Sequence, residues 1–550
     1  MVAIPDASPG LVIRYAYLWK READRCRTEG SKDRPGVVVL AVTNGKGGGK
    51  TVWVAPITHT RPNDPEEAIE IPMRTGLRLG LDEDQSWIVI SEVNRFTCRD
   101  RTFGPSSPDG GHTGCYPQAC SGPFASIWQT WPADARLLKF AAVRDTGPSM
   151  TPSFKGNFTQ QPPIPEEAIE RAVAVMRSGR LHRYNVADGE VPETVRLENE
   201  FAAWMGARFC LACTSGGYAL QTALRAFGVS AGEPVLTNSF TLSPVPGAIA
   251  AAGGRAVLVE ITDDLVIDLD DLGRKAQSSA ARVLMLSHMR GHIADMDALM
   301  DTADGLGIAV IEDCAHTMGA RWGDTKSGTH GIAACFSTQT YKHLNSGEGG
   351  FITSDDEALM ARATILSGSY MLYGRHDAVP ADEVFDRVRL ETPNCSGRMD
   401  NLRAAILRPQ LAALDRLIDA WNARYRAIEE ILESAPGVRL PARPAREHHV
   451  GSSIQFLTPD LDEARIRTLV KACLARGVEL KWFGDAEPLA YTSRYDSWRY
   501  LERQSLPATD RILASLLDMR IPLTFSVEDC RLIGRIIAEC VAAVRDGMSK

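Results

Sequence analysis

The sequence contains no run approaching the ~18 consecutive apolar residues that a membrane-crossing helix needs, although 44% of its 550 residues are hydrophobic. It also lacks a basic surplus: 61 Lys and Arg face 69 Asp and Glu, for a formal net charge of -8. That balance argues against a general nucleic-acid or membrane-surface role. The opening MVAIPDASPG has none of the basic and then apolar layout of a secretory signal. Twelve cysteines are scattered without a repeating interval. Cys210 and Cys213 have CxxC spacing, but no second pair lies near them to complete a zinc site. The expectation is reduced, partly buried thiols in a cytoplasmic protein. The length exceeds one ordinary domain.

What is present changes character along the chain. Residues 10–96 are β-rich, with the β-branched runs VVVLAV (37–42), VWVAPIT (52–58) and WIVISEV (87–93). Between the first two stands NGKGGGKT (44–51), which superficially resembles a phosphate-binding loop. The spacing G-x-x-x-x-G-K-[ST] would put glycine at Asn44, and the following VWVAPIT is a strand where a helix is required. A hairpin turn is the better reading. Residues 97–149 follow neither a period of 2 nor one of 3.6 and are dense in Gly, Pro, Ser and Cys. From Met150, strand, turn and helix alternate, which predicts an α/β domain with a mainly parallel sheet. Strands are expected at 207–214, 233–239, 255–261, 282–288, 308–313, 333–338 and 350–354. Long amphipathic stretches beyond residue 408, including 408–435 read as one, suit a smaller α+β domain. The expected division is 1–96, 97–149, 150–408 and 409–550.

Several residues in the α/β region have chemistry to offer, though each has a plainer explanation when taken alone. TSGGYAL (214–220) is a tight strand-to-helix turn whose amides would attract an anion. NSF (238–240) sets an aromatic at a strand end, where core packing is the commoner role. IEDCAH (311–316) closes an apolar strand with two carboxylates, either of which would also serve as a helix cap. STQTYKHLNSGEGGF (337–351) sets Lys342 five residues after Ser337 in a Ser/Gly-rich loop, ordinarily a solvated position. Together they are the set that a pyridoxal 5'-phosphate (PLP) enzyme requires. Such an enzyme needs a lysine for the Schiff base, a carboxylate for the ring nitrogen, a planar group against the ring and donors for the phosphate.

In order and spacing these segments resemble the DegT/DnrJ/StrS sugar aminotransferases over about 157–545. SGGYALQTAL resembles that family's SGTxAL turn, HMRGHIADMD its HLYGxxADMD, and IEDCAHTMGA its IEDxAQxxGA. FSTQTYKHLNSGEGG resembles SFxxxKxLxxGEGG, and GRMDNLRAAILRPQL resembles YRMxxLxAAixxxQL. The resemblance implies an aspartate aminotransferase-like, PLP-dependent transferase fold. It further implies that Lys342 holds the cofactor and moves the proton, Asp313 pairs with the ring nitrogen, and His316 sits beside the ring. Phe240 would stack on it, while Ser337, Ser215, Gly216, Gly217 and Tyr218 would bind the phosphate. Arg398 lies where the family reaches a partner subunit's site, so a homodimer with shared sites is implied. Four positions depart from the pattern: Gly217 for threonine, Ser396 for asparagine, Arg290 for an aromatic and Tyr341 for asparagine. Some relatives carry histidine in place of the lysine; His343 is adjacent, but the spacing favours Lys342.

The first 96 residues resemble PemK/MazF-like toxins, small SH3-like barrels, with Arg34 and Thr58 in the matching motifs and the barrel incomplete. Read in another frame, the codons of 97–105 and 114–131 are compatible with a continuation of that family, as a single frameshift near codon 97 would produce; a natural linker is the alternative. The expected function is amino transfer from an amino acid, glutamate foremost, to a keto sugar or nucleotide-linked keto sugar. The competing reading is a PLP-sensing regulatory or toxin-like RNA-binding protein without turnover.

Overall fold

A computed structural model describes residues 152–490 and 492–547 and, before them, only strand segments between Val12 and Cys120. The chain divides into two units, Met1–Met150 and Thr151–Lys550.

In the first unit, strands Val12–Ala16, Asp33–Asn44, Gly49–Thr58, Ser86–Val89 and Ala68–Ile71 pair in that order, all antiparallel. Asp33–Asn44 and Gly49–Thr58 pair antiparallel with Asn44 opposite Gly49, as a hairpin requires and a phosphate loop does not. Arg34 and Thr58 lie on these two strands. Val93–Cys98 runs two residues past the expected end of the β-rich segment, and Gln118–Cys120 pairs with it. That short pairing, inside a stretch expected to be irregular, uses backbone groups that any side-chain pattern leaves available. The rest of 97–149, where the frame-shifted reading falls, lies outside the described residues.

The second unit is built on a seven-stranded sheet. In chain order its strands are β1 (Phe209–Cys213), β2 (Pro234–Asn238), β3 (Arg255–Val259), β4 (Val283–Ser287), β5 (Ala309–Asp313), β6 (Ala333–Ser337) and β7 (Gly350–Ser354). Their spatial order is β3-β2-β4-β5-β6-β7-β1. Pairings are parallel from β3 through β6, whereas β7 is antiparallel to both β6 and β1. Six strands therefore run one way and β7 returns. Each has five residues, mostly apolar and buried along almost all its length, because helices cover both faces. One face packs Phe201, Leu236, Leu284, Phe336 and Phe351; the other packs Leu211, Val235, Met285, Ile311 and Ile352.

Capping fixes where the helices begin. Helix α1 (Gly216–Phe227) starts on Ser215, whose hydroxyl accepts from the Tyr218 amide at 3.1 Å. The expected single run over 408–435 divides into α2 (Asn401–Ala412) and α3 (Leu414–Leu432). Amphipathic periodicity continues across the joint at Ala413, so the pattern hides a break that the backbone makes there. The smaller lobe has β8 (Ser453–Leu457), β9 (Lys481–Trp482) and β10 (Leu516–Arg520) in the antiparallel order β8-β10-β9. Helices α3, α4 (Glu463–Ala475) and α5 (Val527–Asp546) close over it around Ile454, Phe456, Ile466, Leu517 and Ile533.

Candidate active site

Strand register sets one end of the large sheet as a row of polar termini. Ser287 pairs with Asp313 across β4 and β5, and Asp313 with Cys335 across β5 and β6. Ser337 pairs with Gly350, and Gly350 with Cys213. This brings the Ser215 turn two strands from Ser337 with only a glycine between. A Cβ on Gly350 would lie 2.7 Å from the Ser215 carbonyl. Ligands of open α/β sheets gather at this carboxyl edge.

A cavity opens there, lined by Gly216, Gly217, Asp313, His316, Ser337 and Lys342, with Leu242, Met289 and Cys335 among its walls. Together with the open space at its mouth it measures about 460 Å³. Six of the ten expected residues therefore line one cavity. Ser215 stands just behind it as the cap of α1. Tyr218 turns away: its hydroxyl donates to the Leu366 carbonyl at 2.9 Å, and its amide is taken by Ser215. The first-turn amides of Gly216 and Gly217 are ones the helix itself leaves unbonded. Gly216 is close enough to Ser337 that a Cβ there would meet the serine Cβ at 2.7 Å.

One expectation is corrected. Phe240 does not line the cavity; it is buried beside Ile261, Met289 and Phe483, with its ring 5.1 Å from that of Phe483. The Asn238 amide donates to the carbonyls of Phe240 and Ser287 at 2.9 and 3.0 Å, turning the chain so that Leu242 becomes the wall residue. Arg398, expected at a partner subunit's site, lies outside this cavity, with Nη1 2.6 Å from the Gly368 carbonyl. His343 points elsewhere as well, with Nε2 3.0 Å from Ser452 Oγ and its ring against Trp421. The lysine and the adjacent histidine are thus divided between cavity and core.

The central geometry is a chain of three groups. Lys342 Nζ lies 2.8 Å from His316 Nε2, and His316 Nδ1 accepts from the Arg290 amide at 3.3 Å. Burial, reinforced by Lys342 and Arg290, holds the imidazole well below its ordinary pKa, so it is neutral at physiological pH. With Nδ1 accepting, the ring proton sits on Nε2 and points at the lysine nitrogen. Burial drives Lys342 down to about 7 against the opposing pull of Asp313, with Arg290 and Arg520 adding to the lowering. An amine with a lone pair available near neutrality can act both as nucleophile and as proton acceptor. Asp313 is 7% exposed, accepting from Ser287 Oγ and the Ala315 amide, each at 3.1 Å. Burial raises its carboxyl, while Lys342 and those two donors pull it back.

The second carboxylate of the IED segment has another task. Glu312, wholly buried, accepts from the amides of Gly328, His330 and Gly331, each at 2.9 Å, and sits 3.0 Å from His288 Nε2. It ties the loop before β6 to β5. Residue type could not separate Glu312 from Asp313; alternation along the strand could, since neighbours face opposite sides of a sheet. Arg290 and Arg520, whose charges act on Lys342, and Lys481, on which both of them act, come from three distant segments that the sequence pattern does not group.

Fold and site define an α/β protein with a buried lysine of lowered pKa in one cavity with a buried carboxylate. The model of the DegT/DnrJ/EryC1/StrS aminotransferase family matches residues 162–537, and the chain belongs to that family. It is a transaminase. A dTDP-3-amino-3,4,6-trideoxy-alpha-D-glucose transaminase of Streptomyces venezuelae is 33% identical over 281 residues, 50% of this chain and 69% of that one. A putative L-glutamine:3-amino-2,3-dideoxy-scyllo-inosose aminotransferase of Streptoalloteichus tenebrarius is 32% identical over 383 residues, 66% and 88% of the two chains. Among solved structures, 3-amino-5-hydroxybenzoic acid synthase matches with a TM-score of 0.61 and 25% identity, over 72% of this chain and all of that one. The family match begins after the first unit, and the toxin resemblance of that unit is not supported.

Proposed function

We propose that the chain is a PLP-dependent aminotransferase that moves an amino group from an amino acid to a ketone on a sugar or cyclitol. The observation that carries the reading is Lys342, a lysine near its neutral form, in one cavity with a buried carboxylate that has no ion-pair partner among the described residues. Asp313 fits a cationic ring nitrogen, because opposite charge would offset the burial that disfavours its ionised form. Gly216, Gly217 and Ser337 fit a phosphate: a helix N-terminus and a hydroxyl meet where only glycine permits the approach. PLP, when bound, supplies an electron sink for the pair released at the carbon bearing the nitrogen.

The residues of the chain do the rest. Asp313 holds a positive charge in place deep in the cavity. Lys342 takes a proton from the substrate carbon and returns one. His316 keeps the lysine nitrogen aimed through its Nε2–H, and its own ring is fixed by the Arg290 amide. Leu242 and Met289 exclude water from the walls. The sugar or cyclitol class is carried over from what the relatives are named for, and the donor is taken to be glutamate or glutamine. Assembly as a homodimer with shared sites belongs to the same proposal.

The test is direct. Protein incubated with PLP and reduced with borohydride should carry the cofactor mass on the peptide containing Lys342, and Lys342→Ala should carry none. Adding amino donors to the unreduced protein should bleach the visible band, and keto sugars should restore it. Labelling without bleaching by any amino acid would favour the regulatory reading.

A further inference from the structure

Close to Lys342, but apart from the Gly216, Gly217 and Ser337 cradle, positive charge accumulates without matching acid. Arg290 comes from the turn after β4, Lys481 from β9, and Arg520 from the end of β10. Arg290 is only 8% exposed. Its Nη2 lies 2.8 Å from Asp518 Oδ2, yet neither Nη2 nor Nε makes a hydrogen bond of acceptable geometry, and Asp518 Oδ2 accepts none. The other oxygen of Asp518 is committed to Gln455 Nε2 at 2.8 Å. Arg520 lies 3.8 Å over the ring of Tyr341, the residue preceding Lys342. Three cations thus share one buried carboxylate, Lys481 standing opposite Asp518 in the strand register, while the exposed Glu479 also acts on Lys481.

Like charge acts on two of them. Burial, then Arg290, lowers Arg520. Lys481 falls to about 8 through burial, opposed by Asp518 and assisted by Arg290 and Arg520. Folding three like charges together is unfavourable unless an anion joins them. Two guanidinium forks and an ammonium are the donor set that carboxylates take up, often bidentately. Backbone geometry makes the arrangement deliberate: Arg290 is held at φ 56°, in the left-handed region a non-glycine residue seldom adopts. The same residue's amide fixes His316, so the cation cluster and the lysine are mechanically joined.

We propose that Arg290, Lys481 and Arg520 form a carboxylate-binding subsite beside Lys342 that receives an acidic group of a substrate. The inference rests on the transaminase reading and deepens it by naming a charge the substrate pair must carry. The carboxylate belongs either to the amino donor or to an acidic acceptor; a phosphate cradle for the cofactor lies elsewhere, on α1 and β6.

Succinate, a dicarboxylate that cannot transaminate, is the probe. Calorimetric titration into the full-length protein should give saturable binding, weakened at least about tenfold in Arg520→Gln and in Arg290→Gln, the loss expected for a charge-assisted bond. Arg290→Lys should recover part of it. Should Arg290→Gln fail to fold, the half-buried Arg520→Gln carries the comparison. A KM raised for the amino donor alone assigns the carboxylate to the donor; one raised for the acceptor alone assigns it there. Absence of succinate binding to the unaltered protein, equal binding in the variants, or loss of succinate with both KM values unchanged would overturn the subsite. Calorimetry does not require the cofactor, so the borohydride adduct on Lys342 reports separately on the underlying reading.

Discussion

Burying Lys342 should make the stability of the cofactor-free protein rise with pH, and replacing it should remove that rise. The ammonium falls from 10.5 to about 7, a difference of 3.5 units or about 5 kcal/mol at ~1.4 kcal/mol per unit. This is an upper limit, because the side chain keeps a face toward the cavity and water there screens its charge. The sign follows from proton counts. Between pH 7 and 10.5 the unfolded chain keeps a proton on this lysine that the folded chain has lost, so stability increases with pH across that window. Below about pH 7 both states are protonated and the folded state bears the full cost; above 10.5 neither is, and the cost disappears. Lys342→Met, similar in volume and uncharged, should therefore be the more stable protein at pH 7, less whatever Asp313 loses with its charge partner. Its advantage should shrink by about 2–3 kcal/mol between pH 7 and 9. Urea denaturation of both proteins at pH 7, 8 and 9, after removal of any cofactor with hydroxylamine, measures this. Stability curves that stay parallel over that range would refute a buried, depressed lysine.

Other outcomes follow from specific contacts. Gly216→Ala should cost about 1–3 kcal/mol of stability, because its Cβ would meet Ser337 Cβ at 2.7 Å; equilibrium dialysis should also find PLP retention reduced, whereas Gly217→Ala, with nothing nearer than 3.9 Å, should be tolerated. Arg183 and Glu198 form a fully buried bidentate pair at 2.8 and 2.9 Å, so Arg183→Ala should destabilise by about 3–5 kcal/mol, read from the denaturation midpoint. Ser215→Ala removes the cap of α1 and should cost about 1 kcal/mol, with hydrogen exchange accelerating first at Tyr218. Asp313→Asn should preserve the fold and the Lys342 adduct yet slow the bleaching of the visible band by amino donors, which stopped-flow absorbance would register.

Sequence by itself determined the large architecture. Seven apolar runs at strand length, separated by helical patterns and tight turns, leave few solutions other than an α/β sheet, and Gly350–Ser354 falls where it was expected. The sequence also pointed to Lys342, Asp313, His316 and Ser337, through the ordered segments that resemble the family's motifs, since each of them alone has a plainer explanation. Direction was not legible: nothing in GFITS distinguishes β7, the one strand that runs backwards, from its neighbours. Nor was the role of Phe240, since an aromatic at a strand end serves core and cofactor equally well, and only the turn made by Asn238 sends it to Phe483 and gives the wall to Leu242. Tertiary structure alone decided that Lys342 and His343, adjacent in the chain, divide between cavity and core. It alone gathered Arg290, Lys481 and Arg520, which are separated by as many as 230 positions, around one carboxylate. The reason is physical: a strand pattern records which side chains are hidden, whereas the charge a buried site experiences depends on segments that only packing brings together.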